Sequence, residues 1–221
     1  MSAIDTGRRF GTGPLARVAS AVHTFLVVGV LLLLTGAPGL VVLVLLDRSA
    51  GNIPLAAACA IPAGPALSAA LYALRWRSND LTDLEPARAF LRGYRMNVAG
   101  VLKLWVPWLA WEAVLGINLA YGRWTVAVTV LALLAALWQA NALVIASLFA
   151  FRARDTGRLA AYFLVRTPGV TLGGAGLAVL AAGLVLLWSE AVLALAAVGF
   201  AAALLRTSRP MRAEIEKRFV R

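Results

Sequence analysis

The sequence predicts an all-α membrane protein: six transmembrane helices in three hairpins, with amphipathic interfacial segments on the cytoplasmic side. Three observations predict it. Of 221 residues, 62% are hydrophobic and 14% charged, whereas a soluble domain is about 45–50% apolar and about 25% charged. The apolar residues gather into six runs, most near the roughly 20 residues that cross a bilayer. No stretch alternates with a period of two, which disfavours a β-barrel. The whole chain, 1–221, reads as one transmembrane domain.

Each element has its own justification. Residues 1–21 are polar and carry Arg8, Arg9 and Arg17. The first span is 22–46. A secretory signal has an apolar core of only about 7–15 residues, so this longer run reads as a retained span. Its Gly36-Ala37-Pro38-Gly39 stretch predicts a kink or break. The second span, 53–74, contains Pro54, Pro62, Gly64 and Pro65. The third, 98–119, is rich in Trp, and the fourth is 124–151. The fifth is 169–187, the sixth 191–205, and a polar, helical tail follows from Arg206. Turns 47–52, 120–123 and 188–190 are short, so the spans pair into hairpins.

Charge orients the hairpins. The formal net charge is +11, with 21 Lys+Arg. Eighteen of these lie in the N-terminal arm, in segments 75–97 and 152–168, and in the tail. Only Arg48 and Arg123 fall on the other side, and Lys103 lies within the third span. Basic residues collect on the cytoplasmic side of a membrane. The pattern therefore predicts six spans with both termini cytoplasmic; five would put the basic tail outside. The same asymmetry accounts for the charge without nucleic acid and predicts attraction to anionic lipid headgroups. Lys103 and Lys217 are the only lysines. With the Ala, Gly, Val and Leu excess, that bias points to a GC-rich bacterial genome and so to a bacterial inner membrane. Cys59 is the single cysteine, so neither an intrachain disulfide nor a thiolate metal cluster is expected.

Basic segments precede each hairpin, at 8–21, 87–97 and 158–168. In the second, Phe90, Leu91 and Tyr94 share one helical face, while Arg88, Arg92 and Arg95 fall on another. Arg158 and Arg166 mark the third. This is the pattern of helices lying at the interface. Arg17, Arg95 and Arg166 recur at intervals of 78 and 71. They fit either a threefold parallel repeat or convergent interfacial helices.

Ionisable groups within spans are the default functional candidates. Glu112 sits about 21 Å along the third span from its cytoplasmic end. Arg123 is its expected partner and Arg48 the second choice. The carboxylate reads as half of an outer ion pair or as a proton- or substrate-binding group. Lys103 is placed to snorkel. Gln139, Asn141 and Asn118 are expected to bond across helices; Gln139 and Asn141 are alternatively part of a polar cavity with Glu112. Trp105, Trp108 and Trp111 form a loose stripe, for packing or for stacking on a sugar. Trp124 and Trp188 read as outer-interface anchors and His23 as interfacial. There is no P-loop, no Gly-x-Ser-x-Gly elbow and no metal-ligand spacing. No enzymatic activity, cofactor or metal is expected.

Pro62 and Pro65 each remove an N–H, and the residues before them avoid the helical region. The second span should be kinked or unwound there. Ala63, Gly64, Ala66, Ser68, Ala69 and Ala70 then offer a smooth surface for close packing. The kink serves packing, or it exposes carbonyls to a polar cavity.

The run Ile61-Pro62-Ala63-Gly64-Pro65-Ala66-Leu67-Ser68-Ala69-Ala70-Leu71-Tyr72-Ala73-Leu74-Arg75 resembles the YesL-like family of bacterial integral membrane proteins. Asp80, Phe90, Tyr94, Arg95 and Asn97 are similar to that family's first inner loop, and 152–168 to its second. The near absence of lysine and the Trp-rich third span depart from many members. The resemblance implies an accessory or regulatory role beside carbohydrate ABC-transporter uptake, with the sugar permease or another membrane protein as partner. The competing expectation is a small transporter or ligand-binding protein with a polar cavity near Glu112.

Overall fold

The computed structural model describes residues 14–76, 85–122 and 124–219. Arg8, Arg9, Asp80 and Arg123, named above, and Arg77 and Arg221, counted among the eighteen basic residues, lie outside the described residues. Among the described residues the chain is helical, with no strand. The helices are α1 (Pro14–Leu45), α2 (Ile53–Cys59), α3 (Ala63–Arg75), α4 (Pro86–Ala120), α5 (Thr125–Leu148), α6 (Ala153–Arg166), α7 (Pro168–Leu187), α8 (Glu190–Thr207) and α9 (Arg209–Phe219). Five of them (α1, α4, α5, α7 and α8) are long and apolar enough to cross a membrane. The bent pair formed by the 50–59 stretch and α3 makes six if it counts as one span.

The lateral surface agrees with that composition. Leu26, Val30 and Leu34 of α1, and Leu172, Val179 and Leu186 of α7, are each more than half exposed. Apolar surface on this scale is unfavourable in water and neutral against lipid tails.

Prolines stand at two of the breaks between helices. The second span bends by 41° between Cys59 and Ala63. Pro62 and Pro65 remove two N–H donors there, and the chain passes the break in tight turns, Ile61 N–H donating to the Ala58 carbonyl at 3.1 Å. Pro168 separates α6 from α7 because Thr167, just before it, is held at φ −122°, ψ 74°, outside the helical region.

Elsewhere the structure corrects the expectation. Pro38 lies inside α1, yet the helix runs unbroken through Gly36-Ala37-Pro38-Gly39. A single proline costs one ladder hydrogen bond, and α1 keeps its path by packing against α2, α3 and α8. Segment 87–97 is also not a separate helix. It is the first part of α4, which continues without a break through 35 residues. No proline stands between 87 and 97 or at the start of the apolar run to stop it, and the helix runs on through Pro107. At 1.5 Å per residue α4 is about 52 Å long, so it overshoots a hydrocarbon core of about 30 Å by roughly four turns. The fourth span ends at Leu148 rather than 151, where Phe149 turns to extended backbone.

Packing is concentrated around α3, which touches α1, α4, α5 and α8. Gly64, Pro65, Ala66, Ser68, Ala69, Ala70, Leu71 and Ala73 are all buried, and their small side chains let four helices approach closely. Phe90, Val101 and Trp105 of α4, the 142–145 stretch of α5 and Phe163 of α6 complete the core. The tail helix adds Met211 and Ile215, both fully buried.

Candidate functional site

The polar groups of the bundle sort by depth along its axis. At the basic end α3, α4 and α5 are joined by side-chain hydrogen bonds. Asn97 Nδ2 donates to Ser68 Oγ at 3.2 Å and to the Ser147 carbonyl at 3.0 Å. Ser147 Oγ bonds Ser68 Oγ at 2.9 Å. Ser68 and Ser147 are buried. Leaving them unpaired in apolar surroundings would be costly, and three partners on three helices satisfy one another.

The next layer is the bend itself. Trp105 Nε1 donates to the Ala60 carbonyl at 3.0 Å, on the bend between α2 and α3. The indole reaches it because Gly64 has no side chain. A Cβ at Gly64 would fall 2.5 Å from the indole ring. Pro62, Gly64 and Pro65 thus act together: the prolines open the bend and the glycine admits the ring that occupies it. Gly93 makes a similar close approach to Tyr72. Trp138 Nε1 bonds the Gly157 carbonyl at 2.9 Å, tying α5 to α6.

The remaining sequence-selected residues are dispersed. Glu112 is half-buried and accepts a hydrogen bond from Trp108 Nε1 at 3.0 Å. It lies eight residues from the end of α4 at Ala120, about 12 Å by helical rise. Gln139 and Asn141 lie 14 and 16 residues into α5, about 21 and 24 Å from the same end. Among the described residues no hydrogen bond joins either amide to Glu112. Gln139 Oε1 and Asn141 Nδ2 are buried without a partner there. Asn118 bonds the Val114 carbonyl of its own helix at 2.8 Å, so it does not bridge helices. Lys103 is exposed.

The tryptophan stripe divides. Trp105 is buried, Trp108 packs on it with ring centroids 4.8 Å apart, and Trp111 faces outward. Trp124 and Trp188 are exposed at the turns opposite the basic end, and His23 is exposed on α1. Beside those turns Arg48 Nη2 meets Glu190 Oε1 at 3.0 Å. Arg48 therefore pairs with the start of α8 and not with Glu112.

Arg88, Arg92, Arg95, Arg158 and Arg166 are all exposed. Arg88 pairs with Glu85, and Arg166 Nε lies 3.6 Å from Glu214 Oε1 of α9. Arg75 Nη2 meets Glu216 Oε1 at 3.4 Å. The tail is thereby tied to α3 and α6. Sequence reasoning missed the Ser68–Asn97–Ser147 connection, the indole at the bend and the docking of α9. The available signal was the run of small and hydroxyl residues in 63–70, with Ala140, Ala142, Ala146 and Ser147 as a second set of small residues in an apolar run. Among the described residues no three His, Cys, Asp or Glu side chains gather as a metal site. Comparison with protein-family models, curated proteins and solved structures finds no match.

Proposed function

We propose that this chain is a non-catalytic accessory or regulatory protein of the bacterial inner membrane, acting beside a carbohydrate ABC transporter. It crosses the membrane six times as three hairpins with both termini in the cytoplasm. The basic segments around Arg88, Arg92, Arg95, Arg158 and Arg166 rest at the anionic headgroups and dock the permease or another membrane partner. The observation that carries this reading is the exposed arginine surface at one end of a bundle whose sides are apolar. The YesL-like resemblance of 61–75 supports the link to sugar uptake. The test is purification from native membrane with exchange of detergent. A permease retained through exchange is the expected result, and repeated recovery of the chain alone would sink the assignment. Epitope tags at both termini test the topology, and either one reachable from outside intact cells would overturn it.

One observation favours a second reading, a small transporter or ligand-binding protein. Gln139 Oε1 and Asn141 Nδ2 are buried polar atoms without partners among the described residues, and such atoms call for an explanation. Under this reading they meet a polar ligand that enters past Glu112. Proteoliposome flux abolished by Gln139→Leu and Glu112→Gln would favour it, and the absence of flux from the unaltered chain would remove it.

A further inference from the structure

Where α1, α3 and α8 meet the tail, an open cavity of about 660 Å³ lies at the basic end of the bundle. Four arginines from three elements line it: Arg75 of α3, Arg206 of α8, and Arg209 and Arg212 of α9. Its other walls are Phe25, Leu74 and the small glycine and alanine residues of α8. Positive charge thus faces an open slot with one apolar wall.

Arg212 is the informative member. It is only 7% exposed, although buried arginines are normally paired. Its Nη2 donates to the Leu205 carbonyl at 2.8 Å, which fixes the guanidinium at the end of α8. Its Nε is buried with no hydrogen-bond partner among the described residues. Burial, followed by the neighbouring charge of Arg75, holds Arg212 below the usual arginine range; Glu216 opposes this and Arg209 adds to it. Among the described residues the carboxylate paired at this cluster is Glu216, which bonds Arg75. Among those residues, four guanidinium groups against one carboxylate leave a surplus of positive charge with donors to spare.

We infer that this cavity is a binding site for a phosphate-bearing anion, held by Arg75, Arg206, Arg209 and Arg212. Guanidinium forks match phosphate oxygens two at a time. Basic pockets between membrane helices suit the phosphates of anionic glycerophospholipids, and the Phe25–Leu74 wall would take the start of an acyl chain. A soluble phosphate group shares the chemistry of the head but not of the apolar wall. The inference needs the membrane setting and is independent of any uptake partner.

The experiment uses the full chain in vesicles of phosphatidylcholine alone or with added phosphatidylglycerol. Lipid retained after detergent extraction is counted by native mass spectrometry. The test variant is Arg206→Gln with Arg209→Gln, since both side chains are exposed and should not disturb folding. The control is Arg152→Gln with Arg154→Gln, equal in charge, exposed and outside the cavity. Retained phosphatidylglycerol should fall about tenfold or more in the test variant and hold in the control, because each basic residue near the surface contributes materially. If no lipid is retained but inorganic phosphate raises the melting temperature of the unaltered chain and not of the test variant, the site stands with a soluble occupant. Equal loss in test and control, or no response to either probe, overturns the site.

Discussion

Two parts of this bundle have similar hydropathy and opposite surroundings. In α5, 44% of the apolar window is buried, and its second half is packed against α3, α4 and α6. In α7 and α8 the corresponding share is 6%. The difference lies in where the small side chains fall: α7 and α8 are also rich in Gly and Ala, but at Gly169, Gly176, Gly183 and Gly199 nothing lies within 4 Å of a Cβ. The hub, α3 with the adjoining stretches of α4 and α5, carries Gly64, Ala66, Ser68, Ala69, Asn97, Ala142 and Ser147 where helices touch. The rim carries Leu172, Val179, Leu180, Leu186 and Leu187 facing outward. Between helices in lipid, stability comes from close packing and hydrogen bonds, since lipid tails are as apolar as leucine. The hub has both and the rim little of either.

That contrast can be broken most sharply by adding volume. Gly64→Val should displace the Trp105 indole and cost about 3 kcal/mol or prevent folding. Gly183→Val on α7, where nothing lies within 4 Å of a Cβ, should stay within about 0.5 kcal/mol. Unfolding by SDS titration in mixed micelles measures both, and equal costs would erase the hub. Removing the hydrogen bond at the bend comes next. Trp105→Phe keeps most of the ring and frees the Ala60 carbonyl, so it should destabilise by about 1–2 kcal/mol.

A paired comparison of asparagines sharpens the point. Asn97→Ala removes two bonds between helices and should cost about 1–2 kcal/mol, while Asn118→Ala removes a bond within its own helix and should cost under about 0.5 kcal/mol. A thermal shift equal in the two variants would show that the bridging geometry contributes nothing. The smallest effect belongs to the exposed turns. Arg48→Gln should destabilise by at most about 1 kcal/mol, and the loss should shrink as salt is added, because the Arg48 side chain is 65% exposed. A salt-independent loss would mean that Arg48 acts through packing.

Much of the architecture was legible in residue order. Six apolar runs located the helices, and Pro62 with Pro65 located the bend to within a few residues. The same reasoning overestimated Gly36-Ala37-Pro38-Gly39, because the effect of one proline depends on whether neighbours hold the helix on course. It also divided α4 at the edge of its apolar run, although a change of polarity does not stop a helix, and this one continues even through Pro107. Within the site, Glu112, Gln139 and Asn141 stood out as polar residues in apolar runs, yet depth along antiparallel α4 and α5 sets the carboxylate apart from both amides. Asn97 was noticed at the end of a basic segment and in the family resemblance, and its bridging role needs the register of three helices.

Hydropathy and proline positions alone determined that this chain forms long apolar helices and where the second apolar run bends. Transfer into an apolar phase depends on side-chain chemistry, and backbone donors lost at proline are a local property. Which helix is central, which carbonyl receives the Trp105 indole, and how Arg75 comes to share one cavity with Arg206, Arg209 and Arg212 were decided by tertiary packing. The physical reason is that a protein interior and a lipid tail present nearly the same apolar solvent. Composition cannot tell a side chain bound for one from a side chain bound for the other; contact distance between helices does.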